Sequence, residues 1–217
     1  PSPADGAPDL LPNQANLLYE MISFLYQGVN PVQVGVVASN IDGRRIAWVR
    51  GRVLDTDGEP MEGVTVSILD HPEYGATRTR ADGAYDLAVN GGTALTLRIQ
   101  MLGYAEAQRR VSPGWQATAF AEHTMLVAES GSLGSVVASG ADVQSIVGFT
   151  ESDESGTRTP VLIMQPGTRA MARTNDGRSI PLDALTVRAT EFTVGASRRE
   201  AMPAMLPETT AYTYAIS

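Results

Sequence analysis

Apolar and polar residues alternate with a period of two between Ile46 and Val127. This alternation is typical of strands with one buried face. Asp-Gly, Glu-Gly and Gly-Gly pairs separate the runs, as expected of tight turns. The pattern predicts short strands packed as a β-sandwich. The apolar positions of the four clearest runs are Val49 and Val53, Val64 to Ile68, Tyr85 to Val89, and Leu95 to Met101.

Residues 1–13 are rich in proline, alanine and aspartate, and we interpret them as a linker. The lead segment, 14–46, begins with leucine, methionine and isoleucine at helical spacing. We expect a short helix there, capped by Asn13 or Asn16 and stopped by Gly28. The aromatic end of this stretch, 24–26, is also compatible with a strand.

A polar stretch of small residues after Val127 marks a domain boundary, and strand-like runs resume beyond it. The fold class is therefore mainly β, with two consecutive β-sandwich-type domains, at 47–128 and 129–217, behind a short helix or extended lead segment. The last residues, AYTYAIS, have the pattern of a strand that is cut short, so we expect the second domain to be truncated.

The chain of 217 residues has a net charge of −8, no cysteine and sixteen arginines in place of any lysine. An acidic surface repels phosphate, which argues against nucleic-acid binding. Thiolate metal sites and thiol nucleophiles are excluded. The sequence lacks an apolar run of about 18 residues, so we expect no membrane insertion.

Two aspartate–glycine pairs, Asp57-Gly58 and Asp82-Gly83, raise the choice between a metal site and a turn. Calcium loops need oxygen ligands at several fixed positions, and Pro60 interrupts the first candidate. Asp-Gly between alternating runs favours a hairpin whose two central residues have positive φ. We expect structural turns and no metal, and we expect Asp86, which alternates with Tyr85 and Leu87, to face solvent.

His71 and His123 lie too far apart for a helical zinc pair, and no Gly-x-Ser-x-Gly nucleophile elbow is present. A serine–histidine–aspartate arrangement in space stays open at this point. Trp48 and Trp115 are compatible with core packing or with stacking on a sugar ring.

The pattern GRVLDTDGEPMEGVTVSILD followed by TRADGAYDLAV, within residues 51–89, resembles carboxypeptidase-regulatory-like, or transthyretin-like, β-sandwiches. The segments FLYQGVNPVQVGV before it, and LTVRATEFTVG and AMPAMLPETTAYTYAI after it, extend the resemblance. Over about 20–217 the order of segments is similar to the region before the YD-repeat shell of bacterial teneurin-like and Rhs proteins.

The resemblance implies a transthyretin-like domain at 47–128 and a fibronectin-like plug domain at 129–217. It implies a non-catalytic module without a cofactor, which is secreted, on the cell surface of a bacterium or part of a delivered effector. Its expected partners are the YD-repeat β-shell of the same polypeptide and other protein surfaces. Prolines and large apolar residues make the tail the candidate contact with that shell. The residues concerned are Met202, Met205, Leu206, Tyr212 and Tyr214.

Two other functions compete with this interpretation. Transthyretin-like hydroxyisourate hydrolases end in a Tyr-Arg-Gly-Ser signature, which this chain lacks, so we expect no enzyme. A carbohydrate-binding or adhesin-type sandwich of a secreted protein is the main alternative. It predicts that Trp48 and Trp115 are exposed side by side, whereas the structural module predicts that both are buried.

Overall fold

The computed structural model describes residues 3–9, 12–13, 15–129, 134–153, 156–174, 176–190, 192 and 198–204. The fold is mainly β, as the sequence predicts. The chain forms two compact units. The first consists of Pro1–Val127 with Arg199–Pro207, and the second of Ala128–Arg198 with Glu208–Ser217. The structure thus differs from the expected continuous domain at 129–217, because a segment after residue 198 returns to the first unit.

Two sheets make up the first unit. One is five-stranded in the order β1-β4-β3-β6-β7, and the other joins β5, β2 and β8, with β9 also paired to β2. The strands are β1 (Gln33–Val34), β2 (Ile46–Leu54), β3 (Thr65–Ile68), β4 (Ala76–Arg78), β5 (Ala84–Asn90), β6 (Leu95–Gln100), β7 (Ala107–Val111), β8 (Ala117–Phe120) and β9 (Thr124–Met125).

The core between these sheets contains the apolar positions predicted from the alternation. Tyr85 is 1% exposed and Leu87 is fully buried, which confirms the predicted face of β5. Val66 on β3 and Leu97 on β6 are fully buried in the same cluster. Burial of apolar area by two facing sheets is the main stabilising contribution in such a sandwich.

The lead segment packs on the first unit. Its helix α2 (Leu18–Ile22) continues as a 3₁₀ turn, Ser23–Leu25, and these contact β2 and β5 respectively. Ile22 and Leu25 are fully buried in the common core. The helix starts after Leu17 without a side-chain cap, so the predicted asparagine cap is wrong. A further short helix, α1, spans Pro3–Gly6 within the expected linker.

A buried glutamine of the lead segment bonds to the backbone of Ala88 at the free edge of β5. Gln33 has no exposed surface, and its Oε1 accepts the Ala88 backbone N–H at 2.7 Å. Its Nε2 donates to the carbonyls of Ala88 at 3.0 Å and Tyr74 at 2.7 Å. The amide of Gln33 therefore takes the place of a neighbouring strand, since unpaired buried backbone groups are costly.

The Asp82-Gly83 turn is present, but it does not close a hairpin between its flanking strands. β4 pairs with β1 and β3, whereas β5 pairs with β2, so the chain crosses between sheets here. The N–H of Gly83 donates to the Arg80 carbonyl at 2.8 Å. Gly83 has a φ of 74°, and Asp82 is not among the residues with positive φ. The expected hairpin pairing and the expectation of two positive φ angles are both wrong.

The Asp57-Gly58 turn has the same backbone geometry. The Gly58 N–H donates to the Asp55 carbonyl at 3.1 Å, and the Asp55 N–H donates to the Glu59 carbonyl at 2.8 Å. Gly58 has a φ of 86°. Each turn is therefore of type I and is followed by a glycine in the left-handed region. This is the backbone conformation of a G1 bulge.

Two-stranded antiparallel ribbons make up the described part of the second unit. They pair β10 with β17, β11 with β14, β12 with β13, and β15 with β16. The strands are β10 (Gly134–Val137), β11 (Gln144–Val147), β12 (Glu151–Asp153), β13 (Gly156–Arg158), β14 (Val161–Met164), β15 (Ala170–Arg173), β16 (Ser179–Leu182) and β17 (Ala184–Val187). The fibronectin-like architecture of this unit stays a prediction. A last helix, α3, spans Arg198–Ala201 and belongs to the first unit from Arg199 onward.

The β10–β17 and β11–β14 ribbons of the second unit each bury one apolar residue and expose others. Val136 on β10 and Ile146 on β11 are 3% and 6% exposed. On the other face of the β11–β14 ribbon, Val147, Val161 and Ile163 are each more than half exposed. We name these three residues the ribbon face. An apolar surface of this kind on a sheet is a feature of interaction sites.

Candidate functional site

The most strongly polar cluster of the first unit surrounds Asp86 on β5. Asp86 lies opposite Arg50 on β2, and its Oδ1 accepts hydrogen bonds from Arg50 Nε and Trp48 Nε1, both at 2.8 Å. Its Oδ2 accepts a 2.6 Å hydrogen bond from Arg80 Nη1. The alternation of the strand produces this arrangement, because Trp48 and Arg50 are two residues apart and share one face.

Asp86 is fully buried, so its expected exposure to solvent is wrong. The side chains that cover it are themselves partly exposed, with Arg50 at 38% and Arg80 at 20%. The Arg50 guanidinium carbon lies 4.4 Å from the centre of the Trp48 ring, which is the geometry of a cation–π contact. Two guanidinium groups and an indole N–H thus replace the water that Asp86 loses on folding.

This cluster is built for structure and not for proton transfer. Both Asp86 oxygens already accept hydrogen bonds, and the carboxylate has no accessible surface through which a substrate could reach it. A general base must come within hydrogen-bond reach of the proton it removes, and a carboxylate without accessible surface does not. The chemical capacity of the cluster is therefore limited to holding β2, β5 and the Arg80 turn in register.

The burial of Asp86 could have been predicted from the sequence of β2, which carries two of its partners, but not from the sequence of β5 itself. A period of two assigns Asp86 to the face away from the core, and it does not show which side chains cover that face. The alternation of Trp48 and Arg50 on the pairing strand is the informative signal, since cross-strand neighbours interact directly.

The two tryptophans differ in their surroundings. Trp48 is half-buried and bonded to Asp86. Trp115 is 61% exposed, with the Arg45 guanidinium 5.8 Å from its ring centre. The structure does not match either expectation fully, since the tryptophans are neither both buried nor both available for stacking on a sugar.

His71 and Glu73 form an exposed pair. His71 Nδ1 lies 2.9 Å from Glu73 Oε1, and this hydrogen bond lowers the pKa of Glu73 below its usual value. His123 is exposed elsewhere. Within the described residues, no group of three or more histidine, aspartate or glutamate side chains has the arrangement of a metal site.

The aspartates of the predicted turns bond to nearby backbone groups. Asp82 Oδ1 accepts the Ala84 N–H at 3.0 Å. Asp55 Oδ1 accepts the N–H groups of Asp57 and Glu59, each at 2.9 Å. These are the local hydrogen bonds by which aspartate stabilises turns.

Arg109 on β7 is a second buried charge, and sequence reasoning missed it. It is 2% exposed, and its Nη1 donates to the carbonyls of Gln108 and Met202, both at 2.8 Å. Its Nη2 donates to the Glu200 carbonyl. Burial lowers the pKa of Arg109, while the charges of Glu122, Tyr85 and Glu200 oppose this shift. Residues 91 and 93 positions away supply two of these carbonyls, so no local pattern could reveal them.

Of the candidate contacts to a partner shell, the structure describes only Met202. Its side chain is 7% exposed within the first unit, so it is not available as a surface contact here. Met205, Leu206, Tyr212 and Tyr214 lie outside the described residues.

Residues 41–126 match the Teneurin TTR-like domain family. Teneurin-3 of Danio rerio is 36% identical over 103 residues, which are 46% of this chain and 4% of the relative. Teneurin-3 of Mus musculus is 45% identical over 83 residues, covering 38% of this chain and 3% of the relative. Teneurin-1 of Gallus gallus is 33% identical over 121 residues, covering 53% and 4%. The aligned part thus spans about one twenty-fifth of these relatives.

Among solved structures, hydroxyquinol 1,2-dioxygenase from Pseudomonas putida DLL-E4 aligns at 16% identity with a TM-score of 0.31, over 39% of this chain and 57% of that chain. The Bacillus anthracis TIE protein aligns at 11% identity with a TM-score of 0.34, over 64% and 31%. These similarities are too low to carry an argument about function. The family match is informative, because residues 41–126 contain strands β2 to β9 and the Asp86 cluster, and this part of the chain is similar to the teneurin TTR-like domain.

Proposed function

We propose that this chain is a non-catalytic structural and interaction module of a bacterial teneurin-like or Rhs/YD-repeat protein. The match of residues 41–126 to the Teneurin TTR-like domain family is the observation that supports the proposal. The buried and fully bonded state of Asp86 supports a structural role, since a catalytic carboxylate needs access to its substrate.

In this proposal the second unit contacts a β-shell formed by another part of the same polypeptide. The ribbon face supports it, because Val147, Val161 and Ile163 are 52%, 52% and 58% exposed. Three β-branched side chains on one face of a two-stranded ribbon gain stability when another surface covers them. The tail beyond Ala204 is a further candidate for this contact. The whole protein would be secreted or on the cell surface, and no described helix is long and apolar enough to span a bilayer.

A binding experiment tests the proposal. The chain is mixed with a separately produced β-shell of its parent protein, and the Kd is measured by calorimetry. Val147→Glu combined with Ile163→Glu should weaken binding at least tenfold, because charges would be desolvated against an apolar partner. Leu102→Glu is the matched control, since Leu102 is fully exposed in the first unit and should not affect binding.

Undetectable binding of the unmodified chain would contradict the proposal, as would equal loss of binding in the Leu102 control. The alternative function, sugar binding, is favoured by the exposure of Trp115 alone. A glycan titration that quenches tryptophan fluorescence, and that Trp115→Ala abolishes, would replace the proposed function with this alternative.

A further inference from the structure

The edge strand β7 is covered by a segment that returns from beyond the second unit. β7 is the last strand of its sheet and pairs with β6 on one side. The backbone N–H of Gln108 points to this free edge and donates to the Pro203 carbonyl at 2.6 Å. The end of helix α3 and the residues after it, 200–203, therefore cover the edge at Gln108.

The same segment supplies oxygens to a buried cation. The Arg109 guanidinium donates to the Met202 and Glu200 carbonyls, and the described residues provide it with no carboxylate within ion-pair distance. Ala201 and Met202 are each 7% exposed, so the segment also buries apolar surface. Without these carbonyls Arg109 would keep a buried charge with one remaining hydrogen bond, which is unfavourable.

We propose that Arg109 fastens the returning segment to the first unit and thereby keeps part of the β7 edge covered. The Arg109 latch consists of the Arg109 side chain, the Gln108 N–H and the carbonyls of Glu200, Met202 and Pro203. An open strand edge is a template for pairing with other chains, and the latch covers the Gln108 position of that edge.

A guanidinium is suited to this task. Its planar fork of N–H groups donates to several acceptors at once and keeps its charge when buried. An ammonium group is a compact donor at the end of a flexible stem, so lysine would reach fewer of these carbonyls. The latch therefore predicts a graded order, in which Arg109→Lys loosens the segment less than Arg109→Met does.

Hydrogen exchange of the full chain, measured by mass spectrometry, tests the latch. Arg109→Met replaces the buried charge with an apolar side chain of similar length, a change that buried sites often tolerate. Peptides covering 198–204 and the Gln108 amide should then exchange about tenfold faster or more, because charge-assisted hydrogen bonds are lost. Peptides from the centre of β6 should keep their exchange rates.

Two further variants make the outcome decisive. Arg52→Met makes the same substitution at an exposed position on β2 and should leave exchange in 198–204 unchanged. Gln108→Pro removes the N–H at the edge while it keeps Arg109, and an edge position tolerates proline. It should also accelerate exchange in 198–204. Unchanged exchange there in both Arg109→Met and Gln108→Pro would overturn the proposal, as would acceleration spread evenly over both sheets.

Discussion

Gly51 on β2 lies opposite Tyr85, and the absence of a side chain at this glycine makes room for the tyrosine ring. A Cβ at position 51 would lie 2.2 Å from Tyr85 Oη and 2.4 Å from its Cζ. Neither separation is possible for non-bonded atoms, and Tyr85 is only 1% exposed. Gly51→Ala must therefore displace a packed ring.

The magnitude follows from two opposing contributions. Alanine reduces the entropy of the unfolded chain and stabilises the fold by about 0.4–1 kcal/mol where the backbone allows it. Overpacking in a filled core costs about 1–3 kcal/mol, and occasionally more. Because the new methyl group would overlap the hydroxyl oxygen and ring carbons of Tyr85, the clash dominates. We expect a net loss of about 1–2 kcal/mol in the free energy of unfolding of the first unit.

Urea unfolding followed by tryptophan fluorescence measures this loss selectively. Both tryptophans of the chain, Trp48 and Trp115, lie in the first unit, so the second unit does not contribute to the signal. The midpoint should fall while the slope of the transition stays constant. Gly114→Ala is the control, because its Cβ would meet only the Ala117 Cβ at 3.5 Å, an ordinary contact.

A double-mutant cycle identifies the cause. Tyr85→Leu removes the ring atoms that block the new methyl group, so Gly51→Ala should cost much less in that background than in the wild-type chain. If the cost is the same in both backgrounds, or if Gly51→Ala stabilises the first unit, the steric argument is refuted.

Three more predictions concern the polar groups. Asp86→Asn should lower the stability of the first unit by about 1–3 kcal/mol, less than a fully buried pair because its arginines are partly exposed; a urea midpoint within error of wild type would contradict it. Calorimetric titration with calcium should give no heat in the wild-type chain or in Asp82→Ala, and a site tighter than millimolar in the wild type alone would refute the turn assignment. The hydrogen bond from His71 lowers the pKa of Glu73 in the folded chain, so any stabilisation from Glu73 is present above its unfolded pKa and lost as the pH falls through its folded pKa. In an NMR titration, His71→Ala should raise the pKa of Glu73 towards its usual value. An unchanged pKa would show that this hydrogen bond is not the cause.

Strand positions were predictable because alternation is a local property. Leu97, Val66 and Leu87 occupy the buried faces that their spacing indicates. The pairing of strands around Asp82-Gly83 was not predictable in the same way. An aspartate–glycine pair specifies the φ of the glycine, and it does not specify which sheet the next strand joins.

The polar sites show the same limit. The burial of Asp86 depends on Trp48 and Arg50 from another strand and on Arg80 from a turn. Arg109 depends on carbonyls, which every residue carries and which leave no trace in the sequence. The sequence shows where charged side chains lie along the chain, but the groups that bond to them are known only from the folded structure.

The route of the chain around the Arg109 latch has a consequence for synthesis on the ribosome. Domains generally fold in order as the chain emerges, and contacts distant in sequence form late because closing a long loop costs entropy. The latch joins residues 93 positions apart, so it can form only after the second unit has been translated. Until then the nascent first unit has an uncovered edge strand, and Arg109 lacks two of its three carbonyl acceptors. This interval is the stage at which we expect chaperone contact to matter most.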